Sequence, residues 1–266
     1  MDLQVHSAYF AGMKFDPPPR FGPDASILIV ATPHRKSILV LNLPGGIEEA
    51  IVPATYLADR VNGKNNEVLA SALGHDDRAF APAVLPPKTL AAWTDLGAYG
   101  KDKVIRVPGM GSYARLDAWW VDADIGEAAW GEPKLIERCS SCAGPCIRAC
   151  PNACFHEGSF YVDAARCLTF LNEGSPDFPE WLPHGAHSSA IGCLRCQDAC
   201  PENARYTRLV ERRFVYDERT SQAILEGKAA DTLPSEAAQL IRLLELEGQE
   251  KKLARNLNAL LGGRSA

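Results

Sequence analysis

Long apolar runs are missing. No stretch approaches 18 consecutive hydrophobic residues, which excludes a membrane-spanning helix on sequence grounds. Basic residues are not in excess: Lys and Arg number 28 against 33 Asp and Glu, a net charge of −5. That balance argues against the broad cationic face that nucleic-acid binding draws on, and makes a nucleic-acid partner unexpected. Met1 to Phe15 contains neither an apolar h-region nor a twin-arginine pair, so the expected location is the cytoplasm. Histidine is sparse, and His6, His34, His75, His156, His184 and His187 show no metal-ligand spacing, which points to surface or capping roles. Cysteine is absent from the first 138 residues.

All nine cysteines then fall between Cys139 and Cys200. A disulfide framework normally staples a small secreted domain that cannot build a core. This chain has 266 residues, 46% of them hydrophobic, enough for a core of its own. Crowded thiols in a long chain without an export signal indicate metal binding in a reducing compartment.

Around that segment the pattern is α+β rather than a regular βαβ repeat. Ser26–Ala31 and Ser37–Leu43 are apolar runs suited to buried strands, the second closed by the turn Pro44-Gly45-Gly46. Three- and four-residue spacings predict a helix from Glu48 to about Leu73, interrupted near Asn62-Gly63. Pro87 sits just ahead of a short predicted helix ending before Gly97. Val104–Val107 and Arg115–Val121 are expected to form a hairpin through Pro108-Gly109-Met110-Gly111. After Pro133 the chain turns rich in Cys, Gly and Pro. The tail, Ser235 to Leu261, has a helical leucine pattern divided by Gly248, most simply packed on its own chain.

The cysteine motif occurs twice, as Cys139-Ser-Ser-Cys142-Ala-Gly-Pro-Cys146-Ile-Arg-Ala-Cys150-Pro151 and as Cys193-Leu-Arg-Cys196-Gln-Asp-Ala-Cys200-Pro201, with Cys167 between. A cubane needs one thiolate on each of four irons. Cysteines three or four residues apart reach three corners, and the cysteine before proline crosses to the other cluster. This rule assigns Cys139, Cys142, Cys146 and Cys200 to one [4Fe–4S] cluster. Cys193, Cys196, Cys150 and Cys167 go to the second, leaving Cys154 over. One departure is the three residues between Cys142 and Cys146, where two are usual. Either a bulge at Gly144 absorbs the extra residue, or a ligand shifts role and Cys154 serves. Two CxxC pairs would also suit zinc, but that leaves five cysteines without a role and ignores both Cys-Pro pairs. The bland reading of Cys154 itself is a small buried thiol.

Val162-Asp-Ala-Ala-Arg-Cys167-Leu and Gly192-Cys-Leu-Arg-Cys-Gln-Asp-Ala-Cys200-Pro201-Glu-Asn203 resemble the iron–sulfur module of epoxyqueuosine reductase and its cobalamin-dependent relatives, among them the reductive dehalogenases. Leu96-Gly97-Ala98-Tyr99-Gly100-Lys101 and Gly111-Ser112 extend the resemblance upstream, over roughly 80–205. The resemblance implies a nitroreductase-like α/β layer in residues 1–133, a bacterial ferredoxin-like double [4Fe–4S] module in 134–210 and a helical extension in 211–266. It further implies cobalamin as a cofactor, with Gly97, Tyr99, Gly100, Lys101, Gly111 and Ser112 as its contacts. A low-potential electron donor such as ferredoxin or flavodoxin, and a corrinoid or corrinoid protein, are the implied partners. Where the family reductase carries an aspartate acid, this sequence has Ala81, with Asp76, Asp77, Tyr99 and Lys101 as the nearby polar residues. The basic surface and C-terminal repeat that grip tRNA in the family are not evident. Two functions follow: an iron–sulfur oxidoreductase of this kind, or a ferredoxin-like electron carrier that serves a partner enzyme.

Overall fold

Pro44 and Gly45 fold the N-terminal segment back on itself, and that turn organises one of the two structural units. The computed structural model describes residues 11–57, 59–73, 79–126, 130–156, 161–174 and 177–263. His6, His75, Asp76 and Asp77 lie outside them. In the first half the elements are β1 (Ser26–Pro33), β2 (Lys36–Leu43), β3 (Gly46–Val52), α1 (Asp59–Ala72), β4 (Phe80–Pro82), α2 (Pro87–Trp93), β5 (Ala98–Tyr99), β6 (Ile105–Arg106) and β7 (Ala114–Val121). Then follow the short helices α3 (Arg138–Ser141), α4 (Pro145–Arg148), α5 (Leu168–Glu173) and α6 (Arg195–Asp198). Strand β8 (Val210–Tyr216) leads into α7 (Glu218–Leu225), α8 (Ser235–Leu243) and α9 (Glu250–Gly262). The result is a mixed α/β chain with open sheets. Among the described residues no helix is long and apolar enough to cross a membrane.

One unit takes the described residues of 1–33 and 58–143, the other those of 34–57 and 144–266. The hairpin of β2 and β3 is therefore grouped with the chain from Gly144 onward, which carries seven of the nine cysteines and the tail.

In the first unit the antiparallel order is β1-β7-β4, with β5 and β6 as a separate pair. Trp119 and Val121 of β7 pack with Leu69 and Phe80, the Phe80 and Trp119 rings meeting edge-on at 5.8 Å. Ala91, Ala92, Tyr99, Ile105 and Val107 form a second small core. The expected hairpin of 104–107 with 115–121 does not form. β6 pairs with β5, and β7 pairs with β1 and β4, because the apolar face of β7 is satisfied by the longer register from Ser26 to Pro33.

In the second unit β2 lies between β3 and β8, antiparallel to the first and parallel to the second. A strand covered on both sides reads as a continuous apolar run, and Ile38 to Leu41 is one. Residues 46–52 are strand rather than the start of a helix: the two-residue turn delivers Gly46 to Leu43, and pairing to β2 outweighs local helical spacing. Helix α1 begins only at Asp59 and runs unbroken through Asn62-Gly63. Leu39, Leu41, Phe214, Leu240, Leu253 and Leu257 anchor the main core. The tail divides at Gly248 as expected, its φ of 75° suiting glycine.

Candidate functional site

The two Cys-Pro runs adopt the same local structure. Helices α4 and α6 each present one cysteine inside the turn and one just after it: Cys146 and Cys150, Cys196 and Cys200. Ala149 and Ala199, ahead of the two prolyl cysteines, share φ −76° and ψ −12°. Cys150 N–H donates to Ile147 O at 3.2 Å, and Cys200 N–H to Gln197 O at the same distance. The two helices pack against each other. Gly144, preceding α4, is left-handed (φ 71°, ψ 49°), a backbone conformation that favours glycine at this position.

Seven cysteines lie in this second unit: Cys146, Cys150, Cys154, Cys167, Cys193, Cys196 and Cys200. None of the nine cysteines forms a disulfide. Cys154 N–H lies 3.5 Å from Cys150 Sγ, and its thiol interacts with those of Cys150 and Cys167. That contact pushes the Cys150 and Cys167 thiols down and Cys154 up, so the outer two favour the thiolate and Cys154 keeps its proton. Backbone N–H groups support the thiolates: Asn152, Ala153 and Cys154 at Cys150, and Thr169 and Phe170 at Cys167. Burial raises Cys193, against the Arg195 N–H and the Ser188 hydroxyl. Among the described residues no three His, Cys, Asp or Glu side chains close around a point as one bound ion requires. A cubane needs no such convergence, because each iron takes one protein thiolate. The donor set of the second unit fits a cluster.

A buried polar frame, unmarked in the sequence, holds these loops. Asn172 in α5 and Asn256 in α9 are both fully buried. Asn172 Nδ2 donates to Gly192 O at 2.8 Å, just before Cys193. Arg255 reaches Leu171 O and Asn172 O at 3.0 and 3.2 Å. Gly192 has φ 62°, and a Cβ there would stand 2.5 Å from Tyr56 Oη. Tyr56 donates to Glu173 Oε1; burial first, then that bond, keeps its phenol protonated well above the usual range. Lys36 Nζ meets Asp198 of α6 at 3.4 Å. His184 is exposed, whereas His187 is buried against the Phe178 ring at 4.5 Å. Desolvation, then Arg255 and Arg195, lower His187 to about 4, so it is neutral. The one signal of this frame in the sequence is Asn256, a polar residue inside a leucine-patterned tail.

Cys139 and Cys142 lie in the first unit, on and just after α3. The segment leading to them is pinned to β5: Tyr99 N–H donates to Lys134 O, and Ile136 N–H to Tyr99 O, both at 2.9 Å. Lys101 Nζ donates to Cys142 O at 2.6 Å. Gly97 and Gly100 have a structural reason within the chain. A Cβ on Gly97 would meet Ile105 at 2.7 Å and Arg106 O at 2.8 Å; one on Gly100 would meet the Arg106 guanidinium at 2.5 Å. That guanidinium is buried and paired with Asp102 at 2.5 and 2.7 Å. Gly111 (φ 59°) closes a turn by exchanging backbone bonds with Val107, with Ser112 following. Ala81 lies on β4 opposite Trp120. Trp119 and Trp120 are buried, and Trp130 is exposed beside Trp93.

No family model matches the sequence. A curated epoxyqueuosine reductase from Atelocyanobacterium thalassa is 36% identical over 73 residues, 26% of this chain and 23% of that protein. One from Cellulophaga algicola is 27% identical over 184 residues, 63% of this chain and 58% of that protein. A solved epoxyqueuosine reductase from Bacillus subtilis superposes with a TM-score of 0.60 at 18% identity, covering 97% of this chain and 72% of that one. Another, bound to an epoxyqueuosine-modified tRNA stem loop, superposes with a TM-score of 0.60 at 17% identity, covering 97% and 72%. The chain has the epoxyqueuosine reductase fold. Its sequence similarity to those enzymes spans under three fifths of the curated proteins' length.

Proposed function

We propose that this chain is an iron–sulfur reductase of the epoxyqueuosine reductase kind. It holds two [4Fe–4S] clusters through Cys139, Cys142, Cys146 and Cys200, and through Cys193, Cys196, Cys150 and Cys167. The observation that carries this reading is the paired Cys-Pro turns with matching backbone angles, beside a set of thiols in no disulfide. Bound clusters would supply one-electron transfer, drawn from a low-potential donor such as ferredoxin or flavodoxin. The chain's own residues hold the thiolates, donate N–H groups to their sulfurs and shield them from water.

The substrate class to test first is an epoxide on a tRNA nucleoside, from the relatives' name. The acidic charge balance speaks against an RNA partner, and a gel-shift with a tRNA stem loop decides between the two. A corrinoid at Gly97, Tyr99, Gly100, Lys101, Gly111 and Ser112 rests on the resemblance alone. A Cβ on Gly97 or Gly100 would meet Arg106, so packing within the chain already accounts for these two glycines.

The second reading is an electron carrier without a substrate site, and Ala81 favours it. Loss of a positioned acid forfeits a contribution of about 10²–10⁴-fold to an epoxide-opening step.

Anaerobic purification with iron and sulfide counting tests the shared core of both readings. About eight irons per chain are expected, falling to about four in Cys193→Ala/Cys196→Ala. Zinc, or an iron count the double variant leaves unchanged, overturns the cluster assignment. Added cobalamin that is retained with a changed visible spectrum supports the reductase; reversible cluster reduction without uptake supports the carrier.

A further inference from the structure

Nine cysteines meet eight cluster positions, and the ninth is not placed as a spare. Cys154 is 1% exposed, its N–H lies 3.5 Å from Cys150 Sγ, and its backbone is tied to the segment that leads into Cys167, a thiol assigned to the same cluster. The segment that carries it is built to hold it there. After Cys150-Pro151 the chain takes a left-handed step at Ala153 (φ 49°), a conformation that alanine rarely adopts. That step brings the Cys154 N–H back to Cys150 Sγ at 3.5 Å. On the other side Cys154 O accepts from Asp163 N–H at 2.9 Å, and Phe155 bridges Val162 in antiparallel fashion. Asn152 and Arg166 complete the clasp, one bond in each direction, at 2.8 and 3.0 Å. The loop after Cys150 and the turn before Cys167 are thus tied together on both sides of Cys154. A structural thiol filling an apolar hole would need only apolar neighbours; this one has a ligand sulfur at its own N–H and a fixed backbone on each side.

We propose that Cys154 is an exchangeable ligand of the second cluster, able to take the iron held by Cys150 or by Cys167. The inference rests on the cluster assignment of the preceding section. In the exchange an iron–sulfur bond to Cys150 breaks and one to Cys154 forms. The proton leaving the Cys154 thiol passes to the released Cys150 sulfur, and no oxidation state changes. The same balance holds for Cys167. The N–H contact to Cys150 Sγ and the clasp on both sides make the swap a local rearrangement of side chains rather than of backbone.

The test is the iron and sulfide content of the full-length chain, purified anaerobically, with electron paramagnetic resonance after reduction. Wild-type protein at about eight irons, and Cys193→Ala/Cys196→Ala at about four, establish the assignment itself; failure there removes the base and not the swap. Given that base, Cys150→Ala and Cys167→Ala are each expected to retain about eight irons. Cys150→Ala/Cys154→Ala and Cys167→Ala/Cys154→Ala are each expected to fall to about four, a twofold loss confined to one cluster's signal. Cys154→Ala alone is expected to stay at about eight. Either single variant falling to about four with Cys154 intact overturns the proposal. So does a double variant that keeps eight, because another group then supplies the ligand, or Cys154→Ala falling to four, because Cys154 is then a resident ligand and not a substitute. Far-ultraviolet circular dichroism on each double variant confirms that the remaining count belongs to folded protein.

Discussion

Asn256 in the C-terminal helix donates from one amide to two backbone carbonyls, Asn172 O and Ala190 O, each at 3.1 Å. Asn172 in turn holds the carbonyl before Cys193. The tail is therefore joined to the cysteine loop by hydrogen bonds as well as by leucines.

Replacing Asn256 by Leu keeps the side-chain branching but removes both bonds, leaving Asn172 O with Arg255 and Ala190 O without the amide. A cost of about 1–3 kcal/mol is expected, the usual penalty for orphaned buried groups. Urea denaturation measures it, and the variant should also release iron faster on exposure to air. A variant as stable as wild type would show that water replaces the amide.

Gly192 and Tyr56 are expected to couple. Gly192→Ala suffers twice, from a positive φ and from collision with Tyr56 Oη. The ring edge collides too, with Cε2 at 2.6 Å, so Tyr56→Ala rather than Tyr56→Phe clears the space and leaves only the backbone strain. In a double-mutant cycle the loss in Gly192→Ala should be partly restored by Tyr56→Ala, by about 0.5–3 kcal/mol of interaction energy. Strict additivity would show that backbone strain alone makes glycine necessary.

Ala153 stores strain at an exposed position. Changing it to glycine should stabilise the chain by about 1 kcal/mol, since left-handed backbone costs other residues roughly 1–2 kcal/mol and glycine returns part of this as unfolded-state entropy. Thermal melting of the metal-loaded protein reads the gain.

His187 ties stability to pH. Its folded value, near 4, lies below the ordinary 6.5. The neutral form is therefore favoured on folding, and its contribution is fully present above about pH 6.5. It is lost as pH falls from there towards 4. Comparing urea midpoints at pH 7 and pH 5 should show a smaller acid loss in His187→Gln than in wild type. Equal losses would place the acid sensitivity on carboxylates instead.

Much of the site was legible because it is local. The Cys-Pro repeats, the left-handed turn at Gly144 and the break at Gly248 each depend on residues within a few positions, where spacing and glycine's backbone freedom suffice. The strands Ser26–Ala31 and Ser37–Leu43 were legible for the same reason, as short apolar runs. The stretch from Glu48 was not: its helical spacing is real, but Pro44-Gly45 offers it the edge of β2, and a paired strand wins.

The sequence by itself determined that thiols at cluster spacing would occur twice, and that a leucine-patterned tail would pack as two helices. Only the tertiary structure decided that β2 and β8 lie side by side in parallel, that Gly97 and Gly100 make room for Arg106, and that Cys154 stands between Cys150 and Cys167. The physical reason is sequence separation. Turn and ligand spacing are set by bonded neighbours, whereas strand pairing and buried polar contacts join residues whose proximity exists only once the chain has folded.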